Sequence, residues 1–291
     1  MHATGSIVTR GALALLVAGA TLVGTGQVSA QLPTPTQLPM DAIKESGQAV
    51  YAAYEGWFVT PDKKKALLIG YWNRNTKQVL DIPVGPNNRI EPGGPDYGQP
   101  THFDPRRGWG TFTIVLPDTF GEKDKMTWTI TANGQTTAIP MGLNVDYVVE
   151  PYRETGMGNT PPVLKFDANG KTFQGPPMGV ALEKTATVNS PLELTTWASD
   201  DGVEDPRFPG RGNKPLNVRW VVHRQPVGAV VKFTEDRPKV DKDAAGKAST
   251  SATFSMPGDY ILRAQGTDLS GEGGGGFQCC WTSAFVKVTV K

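Results

Sequence analysis

The stretch "MTWTITANGQTTAIP", Met126 to Pro140, decides the fold class. In "MTWTIT" apolar and polar residues alternate, which puts Met126, Trp128 and Ile130 on one face of an extended strand. The next pair, Asn133 and Gly134, takes positive φ at low cost, and a second run, "TTAIP", follows at once. Strand, two-residue turn, strand is the pattern of an antiparallel hairpin.

Outward from this hairpin the habit repeats. "ALLIGYW", "QVLDIPV", "GTFTIVL" and "LNVDYVV" are short β-branched and aromatic runs bounded by turn residues, and "TFTIVL" aligns Phe112, Ile114 and Leu116 on one face. Upstream, "DAIKESGQAVYAAY" fits a short helix, while "AVYAAYEGWFV" fits an edge strand equally well. Gly and Pro supply 58 of the 291 residues, a share suited to short strands joined by many turns.

At Glu150 to Pro162, "EPYRETGMGNTPP", the alternation stops, and it resumes in "TATVNSPLELTTWASD", "LNVRWVVHR", "AVVKFTE", "STSATFSMPGDYILRAQGTD" and "CWTSAFVKVTV". The expected organisation is all-β, with two antiparallel immunoglobulin-like β-sandwich domains in tandem over residues 46–150 and 163–291, joined by a linker at 151–162. The second sandwich should hold about seven short strands.

The chain opens with Arg10, the apolar run "GALALLVAGATLVGTG" and small residues at Val28, Ser29 and Ala30. That order predicts an export signal over residues 1–30, cleaved after Ala30, followed by a proline-rich extended leader over 31–45. Six glycines and threonines interrupt the run, so a membrane span is not expected. Cleavage removes one of 29 basic residues and none of the 28 acids, leaving balanced charge and no electrostatic case for nucleic acid or an anionic membrane. The expected location is the periplasm or the cell exterior, and the expected partner is a protein or glycan there.

The second half, roughly Lys184 to Lys291, resembles the immunoglobulin-like modules of bacterial surface and secreted proteins, in particular the cadherin-like and polycystic-kidney-disease-repeat group. The residues that carry this are "LELTTWASDDG", "LNVRWVV", "ATFSMPGDYILRAQGTDLSG" and "AFVKVTV". The resemblance implies that Tyr260 forms the corner where a hydroxyl ties a strand to the preceding connection, and that Trp220 is the core tryptophan of the third strand. "RWVVHRQPVGAVVKF" lacks the acidic, Gly-rich turn of the polycystic-kidney-disease pattern, so the likeness is to the sandwich group and not to that one family.

Candidate contact residues concentrate at "NRN", Asn73, Arg74 and Asn75, and in the long loop "GPNNRIEPGGPDYGQPTHFDPRRG" with the tryptophan behind it: His102, Asp104, Arg106, Arg107 and Trp109. Arg forks match carboxylates and phosphates, and Trp faces stack on sugars or cations. The expected role is binding or scaffolding without catalysis. The rival is a carbohydrate- or polyanion-active enzyme using His102, Asp104 and Arg106 with acids such as Glu91 or Asp96, which requires His102 and two carboxylates to converge in a concave pocket.

"SDDGVEDPRF" gathers Asp200, Asp201, Glu204 and Asp205, and Asp268 stands on another connection. Such oxygens suit calcium, although Asp and Gly also simply build turns. His102 and His223, the histidines beyond the expected signal, lack ligand spacing and argue against zinc, "GEGGGG" precedes a strand and not a helix, and no serine stands in a nucleophile elbow.

The only cysteines are adjacent, Cys279 and Cys280, behind Gly273 to Gly276. Three states are open: a vicinal disulfide presenting an apolar knob, a reduced pair split between core and surface, or a crosslink to a partner.

Overall fold

The computed structural model describes residues 44–156, 158–203, 216–268, 270–273 and 278–291. The expected export signal with its cleavage after Ala30, nearly all of the expected leader, Glu204 and Asp205 lie outside the described residues. Residues 43–291 form one compact unit.

Its first sandwich contains β1 (Val50–Val59), β2 (Lys65–Asn73), β3 (Leu80–Asp81), β4 (Asn88–Glu91), β5 (His102–Phe103), β6 (Arg106–Val115), β7 (Met126–Ala132) and β8 (Gln135–Met141). They make sheets ordered β1-β2-β6 and β4-β7-β8, with a small β3-β5 pair. Asn133 (φ 50) and Gly134 (φ 73) turn the chain between Ala132 and its partner Gln135, as the Asn-Gly pair predicts. Trp128 is fully buried, its ring edge-on to Phe112 at 5.1 Å, and its Nε1 donates to Asn88 Oδ1 at 2.9 Å. Asn88 in turn donates to the carbonyls of Ile82 and Pro100, which pins the long loop to the core.

Strand β2 is buried almost throughout instead of alternating. One face, with Leu67, Ile69 and Tyr71, joins the core between the sheets. The other, with Ala66 and Leu68, continues into Phe58 of β1, and Val149 and Tyr152 pack against it. The ambiguous leading segment is strand, because β1 pairs with β2 along its length. "LNVDYVV" is not a strand. It forms a 3-10 turn, Val145–Tyr147, because Asn144 Oδ1 accepts from Asp146 N, and Val145 is left 77% exposed.

The second sandwich contains β9 (Val163–Lys165), β10 (Val180–Ala186), β11 (Leu192–Ser199), β12 (Asn217–Arg224), β13 (Val231–Phe233), β14 (Lys247–Phe254), β15 (Gly258–Thr267) and β16 (Trp281–Val290). Two four-stranded sheets, β10-β16-β15-β12 and β13-β14-β11-β9, face each other. Pairing is antiparallel except for β10 with β16. Trp220 and Tyr260 are buried between the sheets, and the Tyr260 hydroxyl donates to Met256 O at 2.8 Å. This is the corner that the resemblance implies.

The sandwiches share apolar packing. Phe285 of β16 belongs to the core of the first, where Ile261 of β15 also packs.

Candidate functional site

The loop that the sequence marks for ligand contact runs along the junction of the sandwiches. His102 Nδ1 lies 2.7 Å from Asp81 Oδ1, and its Nε2 lies 3.5 Å from Asp104 Oδ1. Burial opposes charge on this ring, but the hydrogen bonds and charges of Asp104 and Asp81 outweigh it and raise its pKa to about 9. Asp81 also accepts from Gln225 Nε2 of the second sandwich, at 3.2 and 3.1 Å. At neutral pH His102 is therefore a cation held between two carboxylates, and it cannot accept a proton as a general base. Of the acids named for an enzyme, Asp104 meets His102, whereas Glu91 pairs with Arg89 and Asp96 with Arg224.

The remaining loop contacts also join the halves. His223 Nε2 donates to Gly98 O at 2.8 Å, and His223 O accepts from Thr101 N. Its ring lies tilted against Phe285 with centroids 4.5 Å apart, and burial lowers its pKa to about 3, so it stays neutral. Trp109 N donates to Glu272 Oε1, and Trp109 O accepts from Arg263 Nη1, both at 3.3 Å. Gly110 lies against Trp281, where an added Cβ meets the ring at 2.8 Å.

Arg107 lies 4.1 Å from the Trp109 ring centroid and donates to Glu55 Oε1 at 2.8 Å. Glu55 is buried, and its second oxygen has no hydrogen-bond partner among the described residues. Burial raises its pKa to about 7 against the pull of Arg107 and the Gly110 amide. Asn73 and Asn75 are fully buried and committed to one another, to Gln48 and to the carbonyls of Gln78 and Phe103. Their place is inside the fold and not on a contact surface, because a turn at that depth needs side-chain amides to satisfy its backbone. Arg74 is half-buried beside them, and Arg106 is exposed with φ 77.

Asp201 accepts from Thr160 and Val203, Asp200 from Gly202, and Asp268 from Ser270 and Asn159. These are turn and capping contacts. Burial, followed by the charges of Asp268 and Asp201, raises the pKa of Asp200. Among the described residues no group of three or more His, Cys, Asp or Glu could hold a metal ion.

Cys279 and Cys280 are bonded to each other across a cis peptide, with Cα atoms 3.1 Å apart. They are 3% and 1% exposed, so the pair is buried and does not protrude as a knob. Cys280 Sγ lies 3.3 Å from Asn159 O, within the connection between the sandwiches.

A concave surface that the sequence did not point to lies on the first sandwich. Trp57, Lys65, Glu122, Lys125, Leu143, Asn144, Val145 and Val148 line a hollow of about 630 Å³. A second hollow of about 460 Å³, lined by Tyr54, Ile139, Pro140 and Tyr147 among others, shares Lys125 and Asn144 with it. Tyr54 and Tyr147 stack at 5.3 Å and 20°. No spacing signal marks these residues, because β1, β2, β8, the β6–β7 connection and the segment after β8 each supply some of them.

The architecture defines the class: an all-β protein of immunoglobulin-like sandwiches in tandem. No family model matches the chain, and no curated protein matches it. Among solved structures it is similar to domains 4 and 5 of the S-layer protein SbsC, at 10% identity over 60% of this chain and 68% of that one, with a TM-score of 0.23. It is also similar to fibronectin(III)-like modules of Clostridium thermocellum CbhA, at 15% identity over 84% and 94%, with a TM-score of 0.23. The D00-D0 domain of intimin matches at 10% identity over 84% and 100%, with a TM-score of 0.26. Similarity this loose carries no argument about function. Among the described residues no helix is long and apolar enough to cross a membrane.

Proposed function

We propose that the chain is an exported, non-catalytic binding or scaffolding protein whose two sandwiches act as one rigid body at the periplasmic or extracellular face. The observation that carries this reading is the junction: Asp81 with Gln225 and Asp96 with Arg224 join the sandwiches, and His102 is held by Asp81 behind them. Support for export comes from the amino-terminal signal pattern, and support for a cadherin-like kinship from the "PGDYILRAQGTD" stretch of the second half. The partner class is a protein or glycan of the cell exterior.

The test measures binding and turnover together. Purified protein is incubated with soluble polysaccharides and with a cell-envelope fraction, and released reducing sugar is assayed beside retention. Retention without turnover is expected. Turnover abolished by His102→Gln overturns the reading.

A further inference from the structure

The trough on the first sandwich gathers three aromatic side chains, Tyr54, Trp57 and Tyr147. The Tyr54 hydroxyl donates to Gly142 O at 2.5 Å, and Trp57 Nε1 donates to Asn144 O at 2.8 Å. Both aromatic groups are therefore anchored by their polar ends, and Tyr147, stacked on Tyr54, remains 47% exposed. Lys65, Glu122 and Lys125 are exposed and line the hollow of Trp57, and Lys125 also lines the adjoining hollow of Tyr54 and Tyr147, so charged donors and an acceptor stand along the two. Anchored rings lose little freedom when a ligand stacks on them.

The chemistry of the lining selects among ligand classes. Adding a peptide as a strand needs a free sheet edge. Here the edge of β1 at Trp57 is already taken, because Val149 N donates to Trp57 O at 2.9 Å and Val148 bridges Trp57. A nucleic acid wants a run of cations, and the trough offers two lysines against one glutamate. A pyranose suits both halves of the lining, since its C–H face packs on an aromatic ring while its hydroxyls accept from ammonium and donate to carboxylate. Two joined hollows of about 630 and 460 Å³ make an elongated site and not a single closed pocket.

We propose that this trough, with Tyr147 as the stacking platform and Lys65, Glu122 and Lys125 as the hydroxyl-binding rim, binds a carbohydrate chain. The inference rests on the binding reading above and names its ligand class and surface.

Affinity electrophoresis of the exported chain through gels containing xylan, polygalacturonate or hydroxyethylcellulose tests it. At least one polysaccharide should retard the protein. Tyr147→Ala should weaken that retardation about tenfold, with Tyr147→Phe restoring it because the ring is kept. Trp72→Ala is the control: Trp72 is 49% exposed and lies seven residues along β2 from Lys65, roughly 23 Å away at strand spacing, so retardation should not change. Loss of retardation in Tyr147→Ala counts only if its urea midpoint matches the parent, and Lys125→Ala on the exposed rim gives a second reading of the same surface. Retardation that Tyr147→Ala and Lys125→Ala leave intact overturns the proposal. So does an absence of retardation by all three polysaccharides. If the protein is then captured by an envelope protein, the glycan inference falls and the binding reading stands, whereas hydrolysis of a polysaccharide removes the reading beneath it.

Discussion

Arg224 of the second sandwich holds Asp96 of the first through both guanidinium arms, Nη2 to Oδ1 at 2.7 Å and Nη1 to Oδ2 at 3.1 Å, while its Nε donates to Gln99 O at 2.7 Å. The two ends of the contact differ in exposure, with the Asp96 side chain 53% exposed and that of Arg224 22%. The carboxylate end faces water and the guanidinium end lies within the junction.

Unequal effects follow for the two partners. Asp96→Ala should cost below about 1 kcal/mol, as exposed ion pairs do. Arg224→Ala should cost on the order of 2 kcal/mol, because Gln99 O also loses a charged donor. Urea unfolding at neutral pH measures both, and equal small losses would mean that Arg224 is not a junction clamp.

A pH dependence follows from His102. Its folded pKa, about 9, stands above the unfolded value of about 6.5, so its stabilisation is fully present below pH 6.5 and is lost as pH rises through 9. The loss should be on the order of 2 to 3 kcal/mol in the parent and nearly absent in His102→Gln. Glu55 also weakens the fold with rising pH, but its contribution ends near pH 7, so the comparison belongs between pH 7.5 and 9.5. Parallel curves for parent and variant would show that the imidazole carries no charge in the folded protein.

Much of the fold was legible because period-2 alternation and an Asn-Gly turn are local signals. Trp128, Phe112, Tyr260 and Trp220 occupy the interior positions that their strand registers predict. The candidate site was legible only as a list of polar residues. His102 and Arg107 stood out by type, but whether such residues face a ligand or the other sandwich depends on contacts more than 100 positions apart, such as Arg224 with Asp96 and Gln225 with Asp81. Asn73 and Asn75 misled for a related reason, since an amide that satisfies a buried turn has the same local sequence as one that meets solvent. The aromatic trough gave no signal, because Tyr147 reaches it through a 3-10 turn inside a run that alternation assigns to a strand.

The position of Tyr147 depends on Gly56. With φ +138 at a bulge in β1, Gly56 leaves room for the returning segment, and an added Cβ would stand 2.5 Å from Tyr147 O and 2.6 Å from Val149 Cγ1. Gly56→Ala should therefore destabilise the protein by about 2 kcal/mol or more and speed hydrogen exchange of the Val149 amide, which bonds Trp57 O. Gly134→Ala is the contrast, since its φ is also positive but nothing lies within 4 Å, and it should cost only about 1 kcal/mol. Similar losses in the two variants would place no close packing at Gly56.

The cysteine pair should behave as a buried unit. Intact mass of the purified chain is expected two hydrogens below the reduced formula, with no dimer. Because Cys279 and Cys280 are 3% and 1% exposed, reductant with iodoacetamide should leave the native protein unlabelled and label it only in denaturant. A bond between neighbours closes almost no loop, so it restricts the unfolded chain far less than the bridges across a fold that contribute about 2 to 5 kcal/mol. Cys279→Ala with Cys280→Ala should accordingly shift stability by only about 1 to 2 kcal/mol, through lost sulfur packing against Asn159 and its neighbours. Labelling of the native protein without reductant would exclude the ring, and a reducible dimer would assign the thiols to a crosslink.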